Sequence, residues 1–325
     1  MTLEHGGKLA EAMVRYGHVR EAWVDLSTGI NPQSYSAPML PADAWHRLPE
    51  ASPDLIDAAR AYYRVTQLLP VAGSQAAIQA LPRLRPASRV AIGAPAYAEH
   101  AYRWRRAGHE VLEVPHAELH SKVDSCDVLV VCNPNNPTGA TIASEVLLEW
   151  AERLARRGGW LVVDEAFADV EPQHSLATNR PGLIVLRSVG KFFGLAGLRL
   201  GFVIAEQGLL GVLSEEAGPW GVTEAAQTIG TAALRDRAWQ HRMSACLRRD
   251  GARLQRLLAE HGITAHGCAL FQWWQDARAE ALAAHMAERA IWVRKFAHGG
   301  IRLGLPFHER DWQRLSQALD EWCSR

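Results

Sequence analysis

Between residues 69 and 205 the chain alternates short apolar runs with amphipathic stretches. The runs Leu69–Val71, Val90–Ile92, Val111–Val114, Val128–Val131, Trp160–Val163, Leu183–Leu186 and Gly201–Ala205 are rich in β-branched residues and predict strands. Helical periodicity fills Ser74–Leu84, Ala98–Ala107 and Ile142–Arg157 between them. Strands alternating with helices predict an α/β fold with a mostly parallel central sheet and helices on both faces. From about Thr223 the pattern turns helical, with Glu224–Arg235 and a long Arg237–His261 segment. Three strand-like runs follow, at Leu270–Trp274, Ile291–Arg294 and Ile301–Leu305, and then an amphipathic stretch over Glu309–Cys323. This second pattern predicts a smaller α+β domain. The expected division is an N-terminal arm over 1–35, a large domain over 36–215 and a small C-terminal domain over 216–325. The arm is expected to lie against both domains. No internal repeat or low-complexity linker interrupts the pattern.

Composition narrows the reading by exclusion. The 325 residues suffice for a large core and more than one domain. Basic and acidic side chains balance at 35 each, and no basic tract offers a nucleic-acid footprint. No uncharged run approaches the ~20 residues that a membrane span needs. Met1 to Lys8 is polar and lacks an apolar signal core, so a cytoplasmic protein is expected. The five cysteines form no C-x-x-C pair and are expected to be reduced core thiols. His116 and His120 stand four apart, but in a polar stretch, and no metal site is expected there.

Candidate chemistry collects where the predicted strands end, which is where open α/β sheets bind ligands. Lys191 follows the strand-like Leu183–Leu186 and precedes a run of small and apolar residues. The chain holds only four lysines, so this setting stands out. A lysine among apolar groups is suited to attack a carbonyl as the free amine. Arg199, eight positions on, supplies a fixed cation for a phosphate. Together they point to pyridoxal phosphate (PLP). Gly73-Ser74-Gln75 opens a predicted helix, and its N–H groups suit a phosphate or an ordinary N-cap. Tyr97 follows another strand end and suits stacking on a planar ring, or plain core packing. The turn Asn133-Pro134-Asn135-Asn136-Pro137-Thr138-Gly139 is rigid and fixes Asn136. Asp164 leaves a central strand, where a carboxylate is costly to bury without a cationic partner. A protonated pyridine nitrogen would be such a partner. Trp273-Trp274 is expected to pack helices of the small domain.

In this order the Asn-Pro-Asn-Asn-Pro-Thr-Gly, Asp164-Glu165-Ala166-Phe167 and Ser188-x-x-Lys191-x-x-Gly-Leu-Ala-Gly-Leu-Arg199 segments resemble the class I/II aminotransferase superfamily. These are the fold-type-I PLP enzymes. The resemblance implies that Lys191 forms the Schiff base with PLP and that Asp164 pairs with the ring nitrogen. It gives Asn136 the ring hydroxyl and Tyr97 the stacking role. Ser74, Gln75, Ser188 and Arg199 hold the phosphate. Arg302, in Gly300-Ile301-Arg302-Leu303-Gly304, receives the substrate α-carboxylate. Three positions depart from the pattern: Phe167, Gly190 and Leu48 stand where many relatives carry a hydroxyl.

Two further segments narrow the resemblance. His5-Gly6-Gly7 and Asp25-Leu26-Ser27-Thr28-Gly29-Ile30-Asn31-Pro32, with Gly218-Pro219-Trp220, are similar to the threonine-phosphate decarboxylases of cobalamin biosynthesis. That similarity implies a phosphorylated amino-acid substrate, L-threonine O-3-phosphate, with His5, Asn31 and Arg294 at its phosphate. It also implies a homodimer without nucleic-acid or membrane partners. The alternative within the superfamily is a histidinol-phosphate aminotransferase. A PLP-binding regulator without turnover is the reading from another class.

Overall fold

The computed structural model describes residues 6–297 and 299–324. His5 lies outside the described residues. The chain forms two compact units. The larger holds 34–136 and 140–244, and the smaller holds residues up to 33, 137–139 and the chain from 245 on. One boundary falls inside the helix Arg237–Glu260.

A seven-stranded sheet organises the larger unit. Its order is Leu69–Val71, Gly201–Ile204, Leu183–Ser188, Trp160–Asp164, Val128–Cys132, Arg89–Ala94, Glu110–Pro115. Only Gly201–Ile204 runs against the rest. Every residue of Val128–Cys132, Leu183–Ser188 and Gly201–Ile204 is buried, so both faces of the sheet are covered. Alternation assigns the faces. Val90, Ile92, Val128, Val130, Val162, Ile184 and Leu186 enter one core with Ile78, Leu81 and Trp104. Val131, Leu161, Val163, Leu183 and Val185 have the opposite parity and take the other face.

The predicted strands of this sheet are all present within one or two residues of their expected ends. The helix expected over Ser74–Leu84 is α-helical to Ala80 and then narrows to a 3₁₀ turn through Leu84, because Pro82 cannot donate an α-helical hydrogen bond. Helices at Leu9–Tyr16, Pro53–Tyr63, Gln207–Ala217 and Ala279–Glu288 are additions to the predicted set. Pro53–Tyr63 does carry a start signal: Ser52 Oγ accepts from Leu55 N at 3.3 Å, and Pro53 opens the first turn.

The smaller unit is built on a four-stranded antiparallel sheet, ordered Arg294–Lys295, Gly300–Gly304, Phe271–Gln275, His266–Cys268. The expected strand Ile291–Arg294 is divided. Ile291–Trp292 pairs in parallel with Val24–Asp25, and Arg294–Lys295 joins the four-stranded sheet. Val293 is the point where the chain changes partners, which local propensity does not encode. The cysteines are free, but only Cys126 and Cys132 are buried; Cys246 and Cys268 are half-buried and Cys323 is exposed. The expectation of five core thiols is corrected accordingly.

Candidate active site

Strand parity brings the first site residues together. Cys132, Asp164 and Ser188 continue the spacing of Val130, Val162 and Leu186, so they emerge on the same face at the carboxyl ends of their strands. There they line a pocket of ≈ 160 Å³ with Ser74, Gln75, Tyr97, Asn136, Lys191 and Arg199. All eight residues assigned to the cofactor from the sequence therefore reach one pocket of the larger unit.

One end of the pocket is cationic. Gly73 has φ +75°, and a Cβ there would stand 2.5 Å from Arg199 Nη2. The guanidinium thus lies directly against the Gly73 backbone, beside Ser74 at the start of the helix Ser74–Ala80. Arg199 Nη1 donates to Ala196 O at 2.9 Å, which orients the fork. Ser188 Oγ accepts from Gly190 N at 3.2 Å. A side chain at Gly190 would begin 3.1 Å from Ala196 Cα, a close contact at the position where the hydroxyl is missing. Gln75 directs its amide sideways. Its Oε1 accepts from Tyr97 Oη at 3.1 Å and its Nε2 donates to Glu99 Oε2 at 2.7 Å. Arg103 Nε also donates to Glu99. The Gln75 side chain therefore fixes the Tyr97 ring, and burial next to Glu99 and Asp164 pushes the Tyr97 phenol up to about 12.

The other end holds the carboxylate. Asp164 Oδ1 accepts from Ala166 N at 3.0 Å, and Oδ2 meets His100 Nε2 at 3.0 Å. Burial disfavours a charged His100, but the Cys132 sulfur and the Asp164 carboxylate outweigh it and push the His100 pKa up to about 10. Donor atoms of His100, Cys132 and Asp164 lie within 4.8 Å of one another. Sequence reading passed over His100, although it stands one helical turn after Tyr97. Asn136 is held by its neighbours. Asn133 Oδ1 accepts from Ile142 N at 2.8 Å, and Asn135 Nδ2 donates to Pro95 O at 2.9 Å. Lys191 is half-buried, with Nζ 5.4 Å from the centroid of the Phe167 ring.

These residues fit PLP. A guanidinium packed on a glycine backbone, with two hydroxyls and a helix start, suits its phosphate. A carboxylate already braced by an imidazole suits a protonated ring nitrogen. An amine beside an aromatic wall suits its aldehyde.

Of the residues proposed for substrate, Asn31, Arg294 and Arg302 belong to the smaller unit, and His5 lies outside the described residues. Arg294 and Arg302 are direct cross-strand partners and therefore leave the sheet on the same side. Trp273 pairs with Arg302 and shares that face, while Trp274 turns to the other, so the two tryptophans are not one packing unit. Arg302 is buried and donates from Nη2 to Ser27 O at 2.8 Å. Burial and the charge of Arg294 pull its pKa down to about 10, a crowding that an anion would relieve. The two N-terminal segments meet at the same Ser27. Its Oγ accepts from Gly7 N at 2.8 Å, and a Cβ on Gly6 would stand 2.5 Å from Ser27 O. Asn31 is buried and caps its own turn, with Oδ1 accepting from Gln33 N at 2.8 Å.

The sequence model of the family "Aminotransferase class I and II" matches residues 42–321. A threonine-phosphate decarboxylase of Pseudomonas aeruginosa is 53% identical over 321 residues, covering 98% of this chain and 97% of that protein. A second, from Sinorhizobium, is 42% identical over 97% of each. A histidinol-phosphate aminotransferase of Mycobacterium tuberculosis is 32% identical over 80% of this chain and 74% of its own length. Among solved structures, the histidinol-phosphate aminotransferase of Sinorhizobium meliloti in complex with pyridoxal-5'-phosphate superposes with a TM-score of 0.83 at 20% identity, covering 99% of this chain and 96% of that one. The fold, the pocket and the near full-length identity converge: the chain belongs to the class I and II aminotransferase family, among its threonine-phosphate decarboxylases.

Proposed function

We propose that this protein is a PLP-dependent carboxy-lyase that converts L-threonine O-3-phosphate to (R)-1-amino-2-propanol O-2-phosphate, the aminopropanol linker unit of cobalamin. The observation that carries the substrate assignment is the 53% identity to a threonine-phosphate decarboxylase across 98% of the chain. The facing pair Arg294 and Arg302 agrees with it, because threonine phosphate presents two anionic groups.

Bound PLP supplies an electron sink for the pair of electrons left at Cα. Lys191 would hold its aldehyde, Asp164 its ring nitrogen and Asn136 its ring hydroxyl. Tyr97 would stack on the ring, fixed there by Gln75. Ser74, Ser188 and Arg199 would take the phosphate, with Gln75 beside them. Asp164 does its work through charge, and His100 keeps that carboxylate oriented. Arg302 receives the α-carboxylate, while Arg294, Asn31 and His5 take the substrate phosphate. Anchoring at the phosphate end fixes the torsion about Cα, so remote binding energy selects cleavage of Cα–COO⁻ over Cα–H. The carboxylate leaves as CO₂, and a proton returns to Cα from Lys191 or from a neighbouring group of the pocket.

We further propose a cytoplasmic homodimer. Among the described residues no helix is long and apolar enough to cross a membrane. Met39, Trp45, Leu48 and Trp220 are exposed apolar residues of the larger unit that a second copy would cover.

Incubation of the holoenzyme with threonine phosphate tests the reading. Stoichiometric CO₂ and aminopropanol phosphate are expected, with unphosphorylated threonine a poor substrate. Efficient transamination of histidinol phosphate with 2-oxoglutarate would replace it with the alternative. A spectrum unchanged by any amino acid would indicate a silent PLP binder.

A further inference from the structure

Behind the cofactor pocket lies a buried charge cluster that the chemistry above does not use. Asp164 and Ser188 face the pocket, so their neighbours Glu165 and Arg187 project to the opposite side of the sheet. There they meet. Arg187 Nη1 bonds Glu165, and Arg187 Nη2 donates to Asp169 Oδ1 at 2.7 Å. Ser175 Oγ also donates to Glu165, and Glu165 Oε1 accepts from Leu176 N at 2.6 Å. Tyr62 Oη donates to Asp169 Oδ1 at 3.0 Å, and the Arg187 guanidinium lies 4.8 Å from the centroid of Tyr63. Burial is complete: side-chain exposure is 1% for Arg187 and 0% for Glu165 and Asp169.

We propose that Arg187, Glu165 and Asp169 are positioning residues for the cofactor site. They act back-to-back with Asp164 and Ser188 and clamp the segment that carries Ala166 and Phe167.

Arg187 is covalently adjacent to Ser188, the last residue of the strand Leu183–Ser188, and the turn that follows delivers Lys191. Glu165 is adjacent to Asp164. Asp169 follows Phe167 by two residues, so the wall residues Ala166 and Phe167 sit between two anchors on one guanidinium. A forked cation that holds both carboxylates fixes the relative placement of two neighbouring strands and the turn after one of them. The cluster is also a poor device for stability alone. It encloses one cation with two carboxylates, and Arg187 Nε and Asp169 Oδ2 are buried without a hydrogen-bond partner among the described residues. Replacing a buried ion cluster by apolar groups of similar volume is often neutral or stabilising, so such a cluster is weak evidence of a stabilising role. Burial disfavours charge on Glu165 and raises its pKa, while the two carboxylates hold Arg187 protonated.

This inference rests on the PLP reading of the pocket. Two variants test it: Arg187→Lys, which keeps the charge and loses the fork, and the triple apolar replacement Glu165→Leu, Asp169→Leu, Arg187→Met. For each, PLP affinity is measured by titrating the apoprotein and following tryptophan fluorescence. Cofactor orientation is read from visible circular dichroism of the holoenzyme, and stability from urea unfolding of the apoprotein. The expected result is a rise of about tenfold or more in the PLP dissociation constant and an altered dichroic band in both variants. The triple variant should show these changes while the apoprotein still unfolds in one cooperative urea transition. An apolar variant that folds, binds PLP with wild-type affinity and keeps the wild-type dichroic band would overturn the proposal. Failure of the wild type itself to bind PLP would instead overturn the reading beneath it.

Discussion

At the scale of single residues, the pocket assigns tasks that can be separated by experiment. Lys191→Ala should remove the visible absorbance of lysine-bound PLP. Borohydride reduction of the wild type should label the peptide that contains Lys191; labelling at Lys8, Lys122 or Lys295 would displace the assignment. Arg294 should matter for substrate and not for cofactor. Loss of one charge-assisted contact costs roughly 1.5–3 kcal/mol, or about 10- to 150-fold in binding. Arg294→Ala is therefore expected to raise KM for threonine phosphate by that factor with PLP affinity unchanged. An unchanged KM would remove Arg294 from the substrate site. His100 should leave a mark on stability against pH. Its pKa rises from 6.5 to about 10 on folding, because Cys132 and Asp164 overcome the burial that opposes it. A group with a raised pKa contributes its stability fully below the unfolded value and loses it as pH climbs through the folded value. Urea unfolding should thus show stability falling between pH 6.5 and about 10, and His100→Asn should flatten that decline. A variant that declines as steeply as wild type would remove His100 from the linkage.

At the scale of elements, the site depends on how strands become turns. The link from Leu69–Val71 to the helix Ser74–Ala80 passes through Gly73, whose φ of +75° and ψ of 156° suit glycine alone. Gly73→Ala would strain that backbone and push the new methyl into Arg199 Nη2. The expected outcome is a PLP dissociation constant raised at least tenfold with substrate KM little changed in PLP-saturated enzyme. Crystallography or phosphate-analogue protection of the apoprotein would show whether Arg199 has moved. Elements also explain which parts of the fold were legible. The apolar runs of the large sheet are short, continuous and bounded by turn residues, so Val128–Cys132 and Leu183–Ser188 declare themselves. Ile291–Arg294 reads as one strand because its local propensity is uniform, yet Val24–Asp25 and Gly300–Gly304 divide it between two sheets. His100 was not legible because a helix periodicity describes only its face, and its partner Asp164 is 64 residues away.

At the scale of the molecule, the neutral balance of charge neither supports nor opposes association. Met39 is 97% exposed, and Trp45 and Leu48 are 69% and 64% exposed, a cost that a monomer in water would carry without return. Sedimentation velocity should report a dimer of the 35.9 kDa chain. The double replacement Met39→Lys with Trp45→Lys should shift it toward monomer. A wild type that sediments as a monomer at high concentration would refute the homodimer.

The residue types of the site were determined by the sequence itself. The amine of Lys191, the carboxylate of Asp164, the cation of Arg199 and the rigid turn at Asn136 are chemical facts of the chain, and the motifs that carry them resemble, in their order, those of PLP enzymes. Tertiary structure decided what surrounds them. It committed the Gln75 amide to Tyr97 and Glu99, braced Asp164 with His100, and set Arg294 opposite Arg302. It also turned Glu165 and Arg187 inward as a pair. The physical reason is one of range. Periodicity and turn chemistry act over a few residues and are written locally, whereas a hydrogen bond or ion pair between distant segments exists only after strand order and register bring them together.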